Sequence, residues 1–532
     1  MHARPQLPPA LRPTPPASRA RGVRMLAGIA ALALTAAACG SANEGTSGSG
    51  AADTNATLNV VSGHTPNQFD PCGGANGSET GYMTSLYAPL IRADPATGDL
   101  SPGIAKSWKA SDGGHTLTLT LRSGLTFQDG TTLDADAVVK SVKQCLKLGN
   151  QAIPELKGLT AKGDAVIFRL KHPSAGLPGL LSGRIGLIAS PTAREKSGSS
   201  YGSRPAGAGP YKLAKFVPGS SVRLERWSGY KPAGPPAAKA AAIQVSIIRD
   251  PSAEVAALTG GQADYGYGLD NTAKKSLAGS GITVDTKTGI GFADLNVDRS
   301  QGPLKDVKVR QAISYALDRK ALARAATSGL SDAAALQPYP PGHPDHEAEL
   351  DKSHAYNPAK ARQLLAQAGH PHGLTLRGVS LDADKFVNNG VLVAGQLAKV
   401  GIKVKFDAKA VPDASKSFYF DHDYDLFSTG QNSGPDWVSS YRRLLSADSN
   451  GNAGHTPVPG GEAALARLDR ADTPAKLKDA LHQANLVYQK QLPVIPLFFS
   501  PIVRAWTNRV VGAKKAFAIN GEVDFTALGV KK

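Results

Sequence analysis

Strand-like and helix-like periodicities alternate along almost the whole of this 532-residue chain, and no other feature narrows its fold so far. The stretch His115–Leu121 sets Leu117, Leu119 and Leu121 against Thr116, Thr118 and Thr120, a period of two that predicts a half-buried strand. A turn at Asp129-Gly130 follows. Ala135–Leu148 then places Val138, Val142, Cys145 and Leu146 on one helical face, with Asp134 as its cap. Further strands are expected at Thr57–Val61, which Gly63 breaks, and at Val166–Leu170, Val222–Arg226 and Ala242–Ile248, the last two joined by a proline-rich connection over Lys231–Pro236.

The second half is more helical. Val307–Ala326 is expected as one long helix through Val309, Ile313, Ala316, Leu317 and Leu322. Asn357-Pro358 opens a helix that Gly369 closes, matching the cap, first-turn proline and terminal glycine rules. Val391–Lys399 and Ala475–Lys490 are expected helices. Ile402–Phe406 and Tyr424–Ser428 are expected strands, and Val494–Phe499 a buried strand bounded by prolines. The class is therefore α/β, and the length calls for at least two lobes around separate cores.

The N-terminal stretch carries a different message. Met25–Ala38 is an apolar run without charge, preceded by Arg19, Arg21 and Arg24. Its 14 residues fall short of the about 20 that a spanning helix needs, so it has the form of an export signal. It ends in Thr35-Ala36-Ala37-Ala38-Cys39-Gly40, small residues before a cysteine, which resembles the lipobox of bacterial lipoproteins. That resemblance implies lipidation of Cys39 and cleavage before it; Ala36 stands where the pattern usually has leucine. An ordinary signal peptide containing a cysteine is the alternative. Residues 40–56 are rich in Gly, Ser, Ala and Asn and are expected, with Cys39, to form a flexible tether, the 17 residues spanning roughly 20–25 Å. No other segment approaches 18 uninterrupted apolar residues.

Export bears on the charge and on the remaining cysteines. The formal charge is +17, and the five arginines before Met25 have no acid among them, so a chain lacking the leader keeps +12. An exported basic protein meets anionic membrane rather than nucleic acid. With Cys39 lipidated, Cys72 and Cys145 remain as a pair. Outside the cytoplasm such a pair favours a disulfide, two separate buried thiols being the alternative. No C-x-x-C is present, so a zinc ribbon or a thioredoxin-like redox site is unsupported.

Catalytic signals are weak. Gly198-Ser199-Ser200-Tyr201-Gly202 fits G-x-S-x-G, but it sits in a Ser/Gly/Pro-rich loop without a following helix, so no nucleophile elbow is expected. No G-x-x-x-x-G-K-[ST] is present, which excludes a P-loop nucleotide site. His343, His346, His370 and His372 lie in proline-rich turns without an i, i+4 pair. The chain is expected not to be an enzyme, and no cofactor or resident metal is expected.

A run of motifs in a fixed order is more specific than any of these. It comprises Leu86–Ile91 (LYAPLI), Pro102–Trp108 (PGIAKSW), Leu121–Phe127 (LRSGLTF), Asp129-Gly130, Gly207–Tyr211 (GAGPY), Gly261–Asp264 (GQAD), Asp306–Ala312 (DVKVRQA) with Ala316–Arg319 (ALDR), and Asn357-Pro358 through Ala368-Gly369. Over about residues 57–511 the chain resembles the family 5 extracellular solute-binding proteins, the oligopeptide and dipeptide binders of ABC importers. The resemblance implies two lobes joined by a hinge, with an extra subdomain in the first. The divisions expected are a signal peptide over 1–38, the tether over 39–56, lobe I from 57–85, 190–290 and 493–532, the subdomain over 86–189, and lobe II over 291–492. It implies a peptide cargo held in the interlobe cleft as an added strand, permease subunits with their ATPase as partners, a monomer, and a lipid-anchored place on the extracytoplasmic face of a bacterial membrane. A non-peptide solute (nickel complex, haem, opine or sugar) and a non-transport envelope lipoprotein are the alternatives. Arg310 and Asp318 are expected to serve packing.

In relatives the cargo α-ammonium is typically held by an aspartate after a short strand. The matching stretch here is Thr429–Trp437 (TGQNSGPDW), and aligning its proline on Pro435 puts Gln431 at that position. A neutral amide replaces a carboxylate only weakly toward an ammonium. Asp436 substitutes if the loop is re-registered; otherwise the cargo lacks a free amine. Asn432 belongs to the same wall. Trp437 either lines the pocket or packs in a core. Ser62, Gly63 and His64, at the end of the first strand, are the opposite wall.

Overall fold

Ten strands form one continuous mixed sheet, in the order Tyr211–Val217, Ser221–Arg226, Ala242–Ile247, Thr57–Ser62, Tyr265–Tyr267, Val494–Trp506, Thr283–Val297, Leu426–Asn432, Leu374–Leu381 and Ile402–Lys409. The computed structural model describes residues 51–532 except 74–78, 95–96, 150–152, 154–155, 233–236, 332–335, 433–436, 450 and 519. The expected export signal, Cys39 and most of the expected tether lie outside the described residues, as does Asp436.

The fold is α/β with two lobes. One core gathers Leu58, Val60, Tyr82, Tyr265, Tyr267 and Phe525. A second gathers Leu295, Ile313, Leu365, Val393 and Leu426. A third core, with Leu119, Val142, Cys145 and Phe168, underlies a separate four-stranded antiparallel sheet. In that sheet Thr116–Leu121 buries its three leucines and leaves its threonines half-buried, as its period of two requires. The helix Ala135–Lys147 packs beside it, with Asp134 accepting from the Ala137 N–H at 2.9 Å. A disulfide joins Cys145 on that helix to Cys72, Cα to Cα 5.0 Å.

Thr283–Val297 and Val494–Trp506 belong to both lobes. Thr283–Thr288 pair with Pro501–Trp506, and Phe292–Asn296 pair with Val494–Phe499. The register breaks between Thr288 and Phe292, around Gly289 and Gly291, and again between Ala293 and Asp294. The strand expected over Val494–Phe499, bounded by prolines, instead runs on through Pro501 to Trp506, with Pro496 also inside it. Pro496 lies opposite Asp294 and Pro501 opposite Thr288, so both prolines fall where the ladder is already interrupted.

Other expectations need correction. Val307–Ala326 is two helices, Val307–Ala316 and Arg319–Ala326, because Leu317 is extended and Asp318 caps the second, accepting from Ala321 N–H at 3.0 Å. Arg310, buried, donates to the carbonyls of Leu304, Lys305 and Gln491 at 2.8–3.0 Å, tying the first of these helices to the end of the helix Pro474–Gln491. The strand expected over Tyr424–Ser428 is Leu426–Asn432. The end of the tether is not free: Asp53 N–H donates to Val530 O at 2.7 Å, Ala52 bridges to Lys531, and Ala56 packs on the first core. Backbone hydrogen bonds to the edge at Val530–Lys532 hold these residues although their side chains bury little. The G-A-G-P-Y segment packs against Ser85–Tyr87 so closely that a Cβ on Gly209 would stand 2.3 Å from Ser85 O.

Candidate functional site

The interruption in the two long strands opens into a cleft of about 590 Å³ between the lobes. That volume lies within the about 300–1,000 Å³ usual for small-ligand sites. Gly291, Phe292, Ser500 and Pro501 form its floor. The first lobe contributes Gly63, His64, Glu254, Asp270 and Glu522. The second contributes Lys385, Phe386, Asn389, Gly430 and Gln431.

On the first wall, the strand Thr57–Ser62 ends by delivering Gly63 and His64 to the cleft. Ser62 itself is fully buried, accepts from His64 N–H at 3.1 Å and does not line the cavity. His64 Nδ1 lies 3.1 Å from Glu522 Oε1. Burial disfavours the imidazolium, but the neighbouring Glu522 carboxylate outweighs it and the net His64 pKa is raised. Glu254, on the helix Pro251–Thr259, is buried behind Gly63. Desolvation pushes its pKa up to about 7, against the pull of the Gly63 N–H and of His64.

The second wall carries a cation. Lys385, on the helix Asp384–Ala398, reaches solvent through the mouth of the cleft. The protein around it still holds its pKa below the usual lysine value, with Asp270 across the cleft acting the other way. Gln431 pairs across the sheet with Phe292 and is 9% exposed. Asn432 closes the same strand opposite Gly291, and Trp437 opens the helix Trp437–Leu445. The cleft thus brings together Gly63, His64 and Gln431. Glu254, Asp270, Lys385 and Glu522 were not anticipated from sequence; each lies in a stretch with no motif of its own, and only the fold makes them neighbours.

Among the described residues, His343, His346, His370 and His372 belong to no cluster of metal-ligating side chains. His343 stacks on Tyr339 with ring centroids 4.1 Å apart, and burial lowers its pKa to about 4. His346 contacts Tyr339 O at 3.0 Å and Asp351 at 3.1 Å. In the G-x-S-x-G segment Ser200 donates to Ser197 O at 2.7 Å within a 3₁₀ turn, Gly198–Ser203. Among the described residues no helix is long and apolar enough to cross a membrane.

Residues 99–453 match the family described as bacterial extracellular solute-binding proteins, family 5. The glutathione-binding protein GsiB of Shigella flexneri serotype 5b is 30% identical over 332 residues, 61% of this chain and 64% of that protein, so the match spans just under two thirds of the relative. Among solved structures, the Helicobacter pylori periplasmic binding protein DppA in complex with the peptide STSA superposes with a TM-score of 0.79 at 20% identity, over 90% of this chain and 99% of that one. The agropinic-acid complex of AgaA from A. tumefaciens superposes at 0.75 with 21% identity, over 90% of this chain and 99% of that one. These two likenesses establish the two-lobed fold.

Proposed function

The chain belongs to the bacterial extracellular solute-binding proteins of family 5, the substrate-binding and non-enzymatic components of ABC transporters, and from that premise we propose that its cargo is a short peptide. One observation carries the choice: the cleft gathers three acids on one wall (Glu254, Asp270, Glu522), with Arg249 beside them, and faces them with Lys385 on the other. A zwitterionic molecule that bridges the walls answers both signs at once, and by contacting both lobes it favours their closure. The peptide-bound and glutathione-binding relatives support the same class. In this reading Gly63, His64 and Gln431 contact the cargo, with Asn432, Asp436 and Trp437 beside them. Lobe I comprises residues 57–85, 190–290 and 493–532, with its subdomain over 86–189, and lobe II comprises 291–492, except that the start of the strand Val494–Trp506 packs, through Ile495, Leu497 and Phe498, into the core of lobe II. Cys39 carries the lipid that tethers a monomer at the extracytoplasmic membrane face, where it delivers cargo to permease subunits.

A ligand that binds only the folded state raises the melting temperature. Di- to tetrapeptides and glutathione are expected to raise it in a thermal-shift screen. A screen in which no peptide shifts the transition, while an opine, a sugar or a nickel chelate does, overturns the peptide reading.

A further inference from the structure

Behind Gln431, one layer below the cleft surface, stands Asp294. The two strands pair antiparallel, Phe292 with Gln431 and Asp294 with Thr429, so Gln431 and Asp294 are diagonal neighbours on one face of the sheet. Asp294 is fully buried. It follows the register break at Ala293, where an irregular ladder re-aims side chains. Its Oδ1 accepts from Asn296 Nδ2 at 3.3 Å, while its Oδ2 has no hydrogen-bond partner. The Gln431 Nε2 has none either. The amide lies close enough to pull the Asp294 pKa down, against the burial that raises it, though it stands outside hydrogen-bond geometry.

Among the described residues, the groups that face Asp294 come from four other elements. They are Gln431 on its strand, Arg443 on Trp437–Leu445, Tyr419 at the end of the helix Val411–Tyr419, and Tyr488 on Pro474–Gln491. Arg443 is exposed and acts at a distance; the two phenols stay neutral through burial. Desolvation therefore dominates, and the Asp294 pKa is raised to about 7. A buried carboxyl without a close cation is held neutral, and the arrival of a cation reverses that preference.

We propose that Asp294 is a positioning residue of the cargo site: acting through the Gln431 amide, it holds a primary ammonium group of the cargo and releases its own proton to solvent as it does so. The proposal rests on the reading that the cleft takes peptide-like cargo. It makes the cargo a free amine even though the wall residue itself is neutral. The Asp294 O–H bond breaks, the proton leaves to water, and the carboxylate pairs electrostatically with the ammonium.

Calorimetry of the full chain, in two buffers of different ionisation enthalpy, reads both affinity and protons released. The probes are trialanine and N-acetyl-trialanine. Between about pH 6 and about pH 7 the ionised fraction of Asp294 rises from roughly a tenth to roughly a half, so trialanine is expected to bind on the order of fivefold more tightly at the higher pH, releasing close to one proton at about pH 6 and roughly half a proton at about pH 7. N-acetyl-trialanine should show neither effect. D294N should reduce the pH dependence, leaving the contributions of His64 and Glu254 in place, and D294E should restore it. A wild-type profile that D294N leaves unchanged, or binding without proton release, overturns the proposal. If trialanine does not bind, the peptide reading falls, and 1,4-diaminobutane decides: proton release that D294N lacks supports Asp294, while equal release or no binding overturns it. Should D294N fail to fold, infrared spectroscopy of the wild type replaces it. Loss of a buried carboxylic-acid band on adding the amine supports the proposal, and an unchanged band overturns it.

Discussion

His64 Nε2 lies 2.5 Å from the point where a Cβ on Gly268 would stand, and Gly268 itself holds a φ of +63°. The imidazole that faces the cleft is thus backed by bare backbone, and its ring meets Tyr267 edge-on with centroids 5.5 Å apart. Replacing Gly268 by alanine forces the ring away from Glu522 and strains the backbone together. We expect Gly268→Ala to cost about 1–3 kcal/mol in urea denaturation and to weaken cargo binding. A variant as stable as the wild type, with unchanged affinity, contradicts this packing.

The His64–Glu522 pair has a definite pH signature. The folded pKa of His64 is raised above its ordinary value of 6.5, so the pair's contribution is fully present below that value and is lost as pH rises through the folded pKa. Glu522→Gln should therefore lower the melting temperature more at about pH 5.5 than at about pH 8.5. Scanning calorimetry across that range checks it. An equal loss at both ends means that Glu522 acts through its shape rather than its charge.

Asp294 is costly to the fold. Its pKa is raised to about 7, so the native state holds a proton that the unfolded chain gives up near pH 4, and stability falls as pH climbs from there to the folded pKa. Asp294→Asn removes that penalty. Above pH 7 it should stabilise the protein by on the order of 2–4 kcal/mol in denaturant titrations, with little gain near pH 4. A gain in stability with a loss of amine binding is the signature of a residue kept for its site. A variant less stable than wild type at high pH shows instead an ionised, well-paired Asp294.

The Cys72–Cys145 disulfide closes a separation of 73 residues around the antiparallel subdomain. Restricting the unfolded chain in this way is worth roughly 4 kcal/mol in the loop-entropy account. Replacing both cysteines by serine should lower the stability of that subdomain first. Hydrogen exchange of Thr116–Leu121 against Thr57–Ser62 reads it; uniform loss across both strands shows that subdomain and lobe unfold as one unit.

The two-lobed α/β fold was partly legible in the chain, and the reason is the range over which each signal acts. Alternating leucines and threonines at 116–121, the Asp134 cap and the Asn357-Pro358 helix start depend on hydrogen bonds and backbone angles within a few residues, so sequence determined them. So too with the ordered motifs that pointed to the family, and with Gly63, His64 and Gln431 as walls. Tertiary structure decided the rest. Leu317 breaks a helix whose apolar periodicity runs straight through it, because Asp318 caps a second helix there. Val494–Trp506 tolerates two prolines only because its partner strand is out of register opposite them. His64, Lys385 and Asp294 have their pKa values shifted by surroundings far away in sequence. Burial and Coulombic interaction depend on distance in space, and the sheet order that sets those distances is written in no local stretch of the chain.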